Sequence, residues 1–272
     1  MERQVLVDPR PAGGTRGQLV TVLGEMVLPG GGAAQSSALV SALGALGVEP
    51  GTARQVLARS ATRGWLSREK VGPRTRWRLT GHAHAVLSEG AERIYAFGRA
   101  RPGWDGRWLL LLVSVPESQR ALRYQLRTRL TWAGFGQLRQ GMWISPYVGR
   151  EELAVEVVKS LGLEGATSFL GSFGRLGAVA EIVAEAWNLA GLGSRYAAFV
   201  GWAEALSPST DAERFVALAR LVHEWRQFPL LDPELPRTLL PDGWEGDGAA
   251  EAFHRLRDRW RPGAWRWWEG LP

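Results

Sequence analysis

Between positions 49 and 79 the chain gathers positive charge onto two short segments of different periodicity, and this limits the fold more than any other feature. Pro50 suits the first turn of a helix, where its missing N–H has no intrahelical partner to lose, and Gly64 suits the left-handed residue that ends one. The spacing therefore predicts a helix over 50–63. On a 3.6-residue wheel Ala53, Val56, Leu57 and Ser60 turn to one side, while Arg54, Gln55, Arg59, Thr62 and Arg63 turn to another. One face can pack and the other carries charge.

Directly after Gly64, residues 65–70 and 75–79 alternate with a period of two, and Val71-Gly72-Pro73-Arg74 between them reads as a turn, so a β-hairpin is expected. Thr75, Trp77 and Leu79 share one side of its second strand, leaving Arg74, Arg76 and Arg78 on the other, with Arg68 and Lys70 on the first strand. Glu69 is the only acid among them. Upstream, residues 15–27 carry Leu19, Val22, Leu23 and Met26 as an apolar stripe, and residues 35–46 carry Leu39, Val40, Leu43 and Leu46. Helix, helix, arginine-faced helix and basic hairpin is the layout of a winged helix-turn-helix, here 15–98 with a linker helix at its end. Such a unit sets its third helix in the major groove and its wing along phosphates or the minor groove. Arginine-rich faces also arise as plain solvated surface. The order of elements, the cap residues and the single sign of charge together point to double-stranded DNA, with Arg54, Gln55 and Arg59 on base edges, Arg68, Lys70, Arg74, Arg76 and Arg78 on phosphate or the minor groove, and Thr62 and Arg63 beside them.

At 272 residues the chain exceeds one ordinary core, and 45% hydrophobic content suffices for several. A net charge of +6 favours an anionic partner. With no cysteine there are no disulfides, thiolate zinc sites or cysteine nucleophiles. The first ten residues hold too short an apolar run for a signal peptide, and no later run approaches the roughly 18 residues of a membrane span, so a cytoplasmic protein with no membrane partner is expected. Residues 1–14 read as a flexible arm. No cofactor or metal is expected: no phosphate-loop lysine follows Gly30-Gly31-Gly32, and His82 and His84, two apart, diverge on a helix. His223 and Glu224 are helix neighbours about 100° apart and lack a third group for acid–base chemistry, so an enzyme is not expected.

After the hairpin a helix is expected over 80–97, then a boundary at Arg99-Ala100-Arg101-Pro102-Gly103. The apolar run 108–115, bounded by Pro116, reads as a buried central strand. A helix at 118–132, strands at 135–139 and 142–145 joined through Gln140-Gly141, a helix at 151–161 and a strand at 166–170 follow. The order βαββαβ is that of a ferredoxin-like domain, placed at 105–173. Beyond it, 174–272 reads as an all-α domain with helices at 176–189, 195–206, 211–228 and 249–260 and a proline-rich crossing at 229–241. Trp265-Arg266-Trp267-Trp268 is expected to dock on the chain's own surface or on a partner subunit, because exposed tryptophans at a free end invite aggregation. The fold class is thus α+β and multidomain.

These segments together resemble the PaaX family of transcriptional repressors, named for the phenylacetic acid degradation operon. The resemblance runs from about Leu19 to Trp260. It is carried by Arg54 and Arg59 before Gly64-Trp65-Leu66, by Trp77-Arg78-Leu79-Thr80, by Trp108 with its strand and Pro116-Glu117, and by Gly134-Phe135-Gly136 and Gly141-Met142-Trp143-Ile144-Ser145-Pro146. In the last segment it is carried by Ala186-Trp187-Asn188-Leu189, Leu221-Val222-His223-Glu224-Trp225-Arg226 with Phe228-Pro229, Asp232-Pro233-Glu234-Leu235-Pro236, and Leu239-Leu240-Pro241 with Trp244. The resemblance implies a homodimer, joined through the middle domain, that binds an inverted-repeat operator and releases it on binding an aryl-coenzyme A thioester such as phenylacetyl-CoA. The chain departs from the pattern at Ser60, Trp225 and Gln227. An aryl-CoA effector needs an apolar pocket and cations, and the C-terminal segment offers Trp187, Tyr196, Phe199, Trp202, Trp225 and Phe228 with Arg195, Arg226 and Arg237, and His223 beside them. Aromatics at these helical spacings also serve as plain core.

Two other functions fit parts of the pattern. A ferredoxin-like metal-dependent nuclease would need a carboxylate where the first strand of that domain ends, as in the small CRISPR-associated nuclease of the same fold. Here the strand ends Val113-Ser114-Val115-Pro116, and Asp105 lies at its other end. An architectural DNA binder without effector would leave some hundred aromatic-rich C-terminal residues without a task.

Overall fold

The computed structural model describes residues 14–272, so the expected arm over 1–14 lies outside the described residues except for Gly14. The fold is mixed α+β with two antiparallel sheets, and it divides into two compact units. One holds the described residues up to Phe97 with Ala198–Gln227 and Gly248–Pro272. The other holds Gly98–Ala197 with Phe228–Asp247. The expected segments 15–98, 105–173 and 174–272 are consecutive in the chain, whereas each compact unit draws on separate stretches of it. The C-terminal helices do not gather as one group, since 198–227 and 248–272 pack with the N-terminal elements.

The first unit opens with α1 (Thr15–Val22), which runs on as a π-helical turn over Leu23–Val27. Strand β1 (Ala33–Gln35), helices α2 (Ser36–Ala45) and α3 (Pro50–Thr62), strands β2 (Leu66–Val71) and β3 (Arg74–Leu79), and helix α4 (Gly81–Ala96) follow. Pro50 occupies the first turn of α3, and Gly64, at φ 73°, ends it while Trp65 N–H returns to Ser60 O at 2.9 Å. Thr80 fixes where α4 begins: its hydroxyl accepts from Ala83 N–H at 3.2 Å and donates to Gly64 O at 2.6 Å. Leu19, Leu23, Leu39, Leu43, Ala53 and Leu57 are all fully buried at the centre of the helices.

The sheet of this unit runs β1-β3-β2, with Trp77 opposite Ala34 and Arg68, and Leu79 opposite Leu66. Strand β1 was not anticipated. Three residues carry no readable alternation, and this strand exists only because β3 lies beside it.

Helix α9 (Asp211–Trp225) starts at a capping box, in which Glu213 N–H bonds the Thr210 hydroxyl and the Glu213 carboxylate accepts from Thr210 and Ser209. Those donors, the Thr210 N–H first, pull the Glu213 carboxyl down to about 2. Helix α9 packs on α1, where Thr21 Oγ1 and His223 Nδ1 lie 3.3 Å apart. Trp225 has no exposed surface. Its ring stacks on Phe253 at 4.6 Å and 12°, meets Phe97 and Phe199 at 5.6 and 5.4 Å, and its indole N–H donates to Ile94 O at 3.2 Å. The last helix, α11 (Glu245–Glu269), outruns the expected 249–260. Ala249, Phe253, Leu256, Trp260 and Ala264 keep one buried stripe through Pro262, whose missing N–H masked the continuation in sequence. Trp267 then packs on Phe215 at 4.5 Å.

The second unit is built on β4 (Arg107–Leu112), α5 (Arg120–Trp132), β5 (Gly136–Arg139), β6 (Met142–Ser145), α6 (Glu151–Ser160) and β7 (Thr167–Ser172). Its strands pair antiparallel in the order β5-β6-β4-β7, which by order in the chain is second, third, first, fourth. Leu109 and Leu111 point into a core with Leu126, Leu130, Phe135 and Trp143. Trp108 on the opposite face packs with Ile144, Val183, Trp187, Leu235 and Leu239. Both faces are covered, which is why β4 reads as an unbroken apolar run.

Helix α7 (Val179–Ala186), the start of α8 (Leu189–Glu204) and the short α10 (Phe228–Leu231) complete the unit. The proline-rich crossing is pinned by polar groups: buried Asp232 accepts from Tyr196 Oη at 2.8 Å, Arg101 at 3.2 Å and Glu234 N–H at 2.6 Å. Burial, reinforced by the Asp232 charge, raises the Tyr196 hydroxyl far above its ordinary range.

Removing the indole at 225 leaves a cavity where four elements converge. Trp225→Ala is expected to destabilise the intact protein by about 3–5 kcal/mol in urea or guanidinium unfolding, and Trp225→Phe, which keeps a ring in the stack but loses part of the indole's volume and the Ile94 bond, by less. Equal losses for the two variants would show that a phenyl ring recovers none of the packing.

Candidate nucleic-acid interface

The buried side of α3 consists of Ala53 and Leu57, each without exposed surface, and fixing these two residues inward turns Arg54, Gln55, Arg59 and Thr62 outward. All four are exposed, as is Arg63 at the helix end. Thr62 Oγ1 donates to Ala58 O at 3.2 Å in its own helix. Among the described residues none of Arg54, Arg59 and Arg63 forms an ion pair, so α3 presents uncompensated guanidinium groups.

Register decides how the hairpin shares out its charges. Residues directly opposite in an antiparallel pair lie on the same face, so Arg74, Arg76 and Arg78 share theirs with Val71, Glu69 and Ser67. Arg68 and Lys70 lie on the other face with Thr75, Trp77 and Leu79, and beyond the buried part of it both are exposed. Arg68 donates to Thr75 Oγ1 at 3.4 Å. The basic set is therefore divided between the two sides of the hairpin.

Glu69 also does more than interrupt the pattern. Arg78 Nε donates to Glu69 Oε1 at 2.6 Å, and this bond holds the Glu69 carboxyl below its ordinary range. Arg78 is thereby neutralised, whereas Arg74 and Arg76 form no ion pair among the described residues. The pairing follows from strand register, which a two-residue turn at Gly72-Pro73 would have disclosed. Sequence reading also passed over Gln35, opposite Arg76 on β1, whose side-chain oxygen is buried and accepts no hydrogen bond among the described residues.

The ten effector candidates fall in both units. Phe199, Trp202, His223, Trp225 and Arg226 belong to the first, and Trp187, Arg195, Tyr196, Phe228 and Arg237 to the second. Trp187, Tyr196, Trp225 and Phe228 are interior: Tyr196 stacks on Phe228 at 4.2 Å, and Trp187 faces Trp108 at 6.5 Å. His223 and Arg226 are half-buried. Burial first, and the neighbouring Arg226 charge second, lower the His223 pKa. Arg195 is exposed, Trp202 is partly buried and stands 6.1 Å from Phe199, and Arg237 pairs with Asp247 at 3.6 Å. Among the described residues no three His, Cys, Asp or Glu gather as metal ligands, and no helix is long and apolar enough to cross a membrane.

Three family models match in succession: a PaaX-like protein model over residues 15–83, the PaaX protein central Cas2-like domain over 101–183, and the PaaX-like protein C-terminal domain over 187–270. The chain is 25% identical to the transcriptional repressor PaaX of Escherichia coli (strain K12), covering 96% of this chain and 84% of that protein. It is also similar to the solved structure of the uncharacterized protein Rv0674 from Mycobacterium tuberculosis, with a TM-score of 0.62 and 25% identity over 90% of this chain and 94% of that one.

The Glu69–Arg78 pair gives the charged face a direct test. Glu69→Gln frees one guanidinium, and the slope of log affinity for duplex DNA against log salt is expected to steepen by about 0.9, the value of one added phosphate contact. An unchanged slope in fluorescence-anisotropy titrations would mean that Arg78 does not meet phosphate.

Proposed function

The chain belongs to the PaaX family, and from that premise we propose that it is a DNA-binding transcriptional repressor of a catabolic operon for phenylacetic acid, released from its operator by an aryl-CoA thioester such as phenylacetyl-CoA. The observation that carries this reading is the pairing of an exposed, unneutralised arginine face on α3 with an arginine-bearing hairpin, in a chain whose three segments match PaaX models in order. Residues 15–98 act as a winged helix-turn-helix, with α3 in the major groove and β2–β3 as the wing. The four-stranded sheet with α5 and α6 is the ferredoxin-like domain, and its strand order supports that reading. The named relative is a repressor, and a regulator rather than an enzyme is the reading for this chain too.

On this reading Arg54, Gln55 and Arg59 read base edges, and Arg74 and Arg76 hold phosphate. Arginine bidentate to guanine discriminates by roughly 1–3 kcal/mol, whereas a phosphate contact adds affinity without sequence. Arg59→Ala is therefore expected to relax sequence preference, and Arg76→Ala to weaken binding to all duplexes alike. The reverse outcome in competition assays against scrambled DNA would exchange the roles of helix and hairpin.

The working unit is a twofold dimer on an inverted repeat, because one head buries too little DNA for operator-grade affinity. The edge strand β7 supports a dimer joined through the central domain. All six of its residues are exposed, and Phe169 and Leu170 leave 54% and 51% of their surface in solvent on an unpaired edge without charge. Sedimentation is expected to give a dimer at micromolar concentration, two heads per operator, and release of that operator by phenylacetyl-CoA. A monomer with one head per site, or a complex that phenylacetyl-CoA leaves intact, would contradict the corresponding half of the proposal.

A further inference from the structure

We propose that a cleft in the central domain, where β4 runs out toward α5, binds an amphipathic organic anion: an aryl or acyl group joined to phosphate. The inference rests on the effector reading above and gives the effector a place outside the C-terminal helices. The cleft is open to solvent and offers about 730 Å³, within the range of small-molecule sites. Its floor is apolar, formed by Val113, Val115, Leu126 and Trp143, each at most 7% exposed.

The rim has the opposite chemistry. Arg123 and Arg127, one helical turn apart on α5, line it together with Gln137 and Gln140, and among the described residues no carboxylate does. Arg123 donates to Glu117 O at 2.9 Å, and neither arginine forms an ion pair among the described residues. Two uncompensated guanidinium groups beside an apolar floor suit phosphate or carboxylate oxygens carried on an apolar body. Tyr124 between them leaves 72% of its surface in solvent, an aromatic face with nothing packed on it. Trp143 adds a buried indole N–H with no acceptor among the described residues.

The hairpin end of the cleft is held by backbone. Gly141, at φ 77°, accepts from Val113 N–H at 2.9 Å, and a Cβ there would lie 3.0 Å from Val113 O. The absence of a carboxylate also separates this cleft from a hydrolytic metal site, which needs hard oxygen ligands at that strand end.

Calorimetric titration of the full chain with phenylacetyl-CoA, free coenzyme A and phenylacetate tests the assignment. The thioester is expected to bind the wild type more tightly than either fragment. Arg123→Ala/Arg127→Ala, which removes the cations, and Ser114→Trp, which fills the cleft from an exposed lining position, are each expected to raise its Kd at least tenfold. Both variants should hold operator DNA as the wild type does when no ligand is present, and Arg226→Ala should bind the thioester normally. Wild-type binding that both cleft variants retain overturns the site. So does loss by Arg226→Ala alone, which would return the effector to the C-terminal helices. Loss of operator affinity in the double variant would make these arginines DNA ligands and also overturn it. A fragment that binds as tightly as the thioester overturns the amphipathic class. A wild type that binds none of the three refutes the effector reading itself, a result distinct from all of these.

Discussion

Trp225 is the point on which the first unit depends. Its indole lies in a dry junction of Phe97, Phe199 and Phe253, so the end of α4, the end of α8, α9 and α11 share one apolar cluster. An aromatic of this size removes well over a hundred square ångströms from water, and close stacking adds to that. Its single polar atom is satisfied by Ile94 O, so no desolvation penalty opposes the burial. Helix α9 in turn packs on α1, the first helix of the proposed DNA-binding head. C-terminal helices thus form part of the core under a surface that the chain builds from its N-terminal residues.

A buried ion pair sits in the same unit. Glu25, on the π-helical turn that follows α1, is 4% exposed and lies 3.8 Å from Arg257 of α11, whose guanidinium stacks over Tyr95 at 3.9 Å. Burial raises the Glu25 carboxyl, and the arginines only partly oppose it. Such a pair adds little net stability, yet removing one partner strands the other's charge. In the central unit Asp232 is the corresponding polar centre, and it binds the proline-rich crossing from both sides.

The charged surfaces follow from what these cores turn outward. Ala53 and Leu57 set the exposure of the α3 arginines, and Trp77 and Leu79 set that of the β3 arginines. Neutralisation by Glu69 then leaves the three arginines of β3 unequal. In the central unit the same logic places Leu126 and Leu130 inward and Arg123 and Arg127 at a cleft. The two cationic surfaces lie on different elements, α3 and β3 in the first unit and α5 in the second.

Signals that are local in sequence were legible from it. Pro50 and Gly64 bounded α3, alternation disclosed β2 and β3, and the order of runs and breaks gave βαββαβ, because caps, turns and periodicity act within a few residues. Contacts between distant residues were not legible. Strand β1 exists by pairing with β3, the faces of Arg68 and Lys70 depend on register, and Pro262 hid the length of α11 although the buried stripe runs through it. The grouping of residues 198–227 and 248–272 with the N-terminal elements, and the interior placement of Trp225, Tyr196 and Phe228, were decided by tertiary structure alone. An aromatic on a helix face looks the same in sequence whether a ligand or another ring covers it, and only the packing of remote segments determines which.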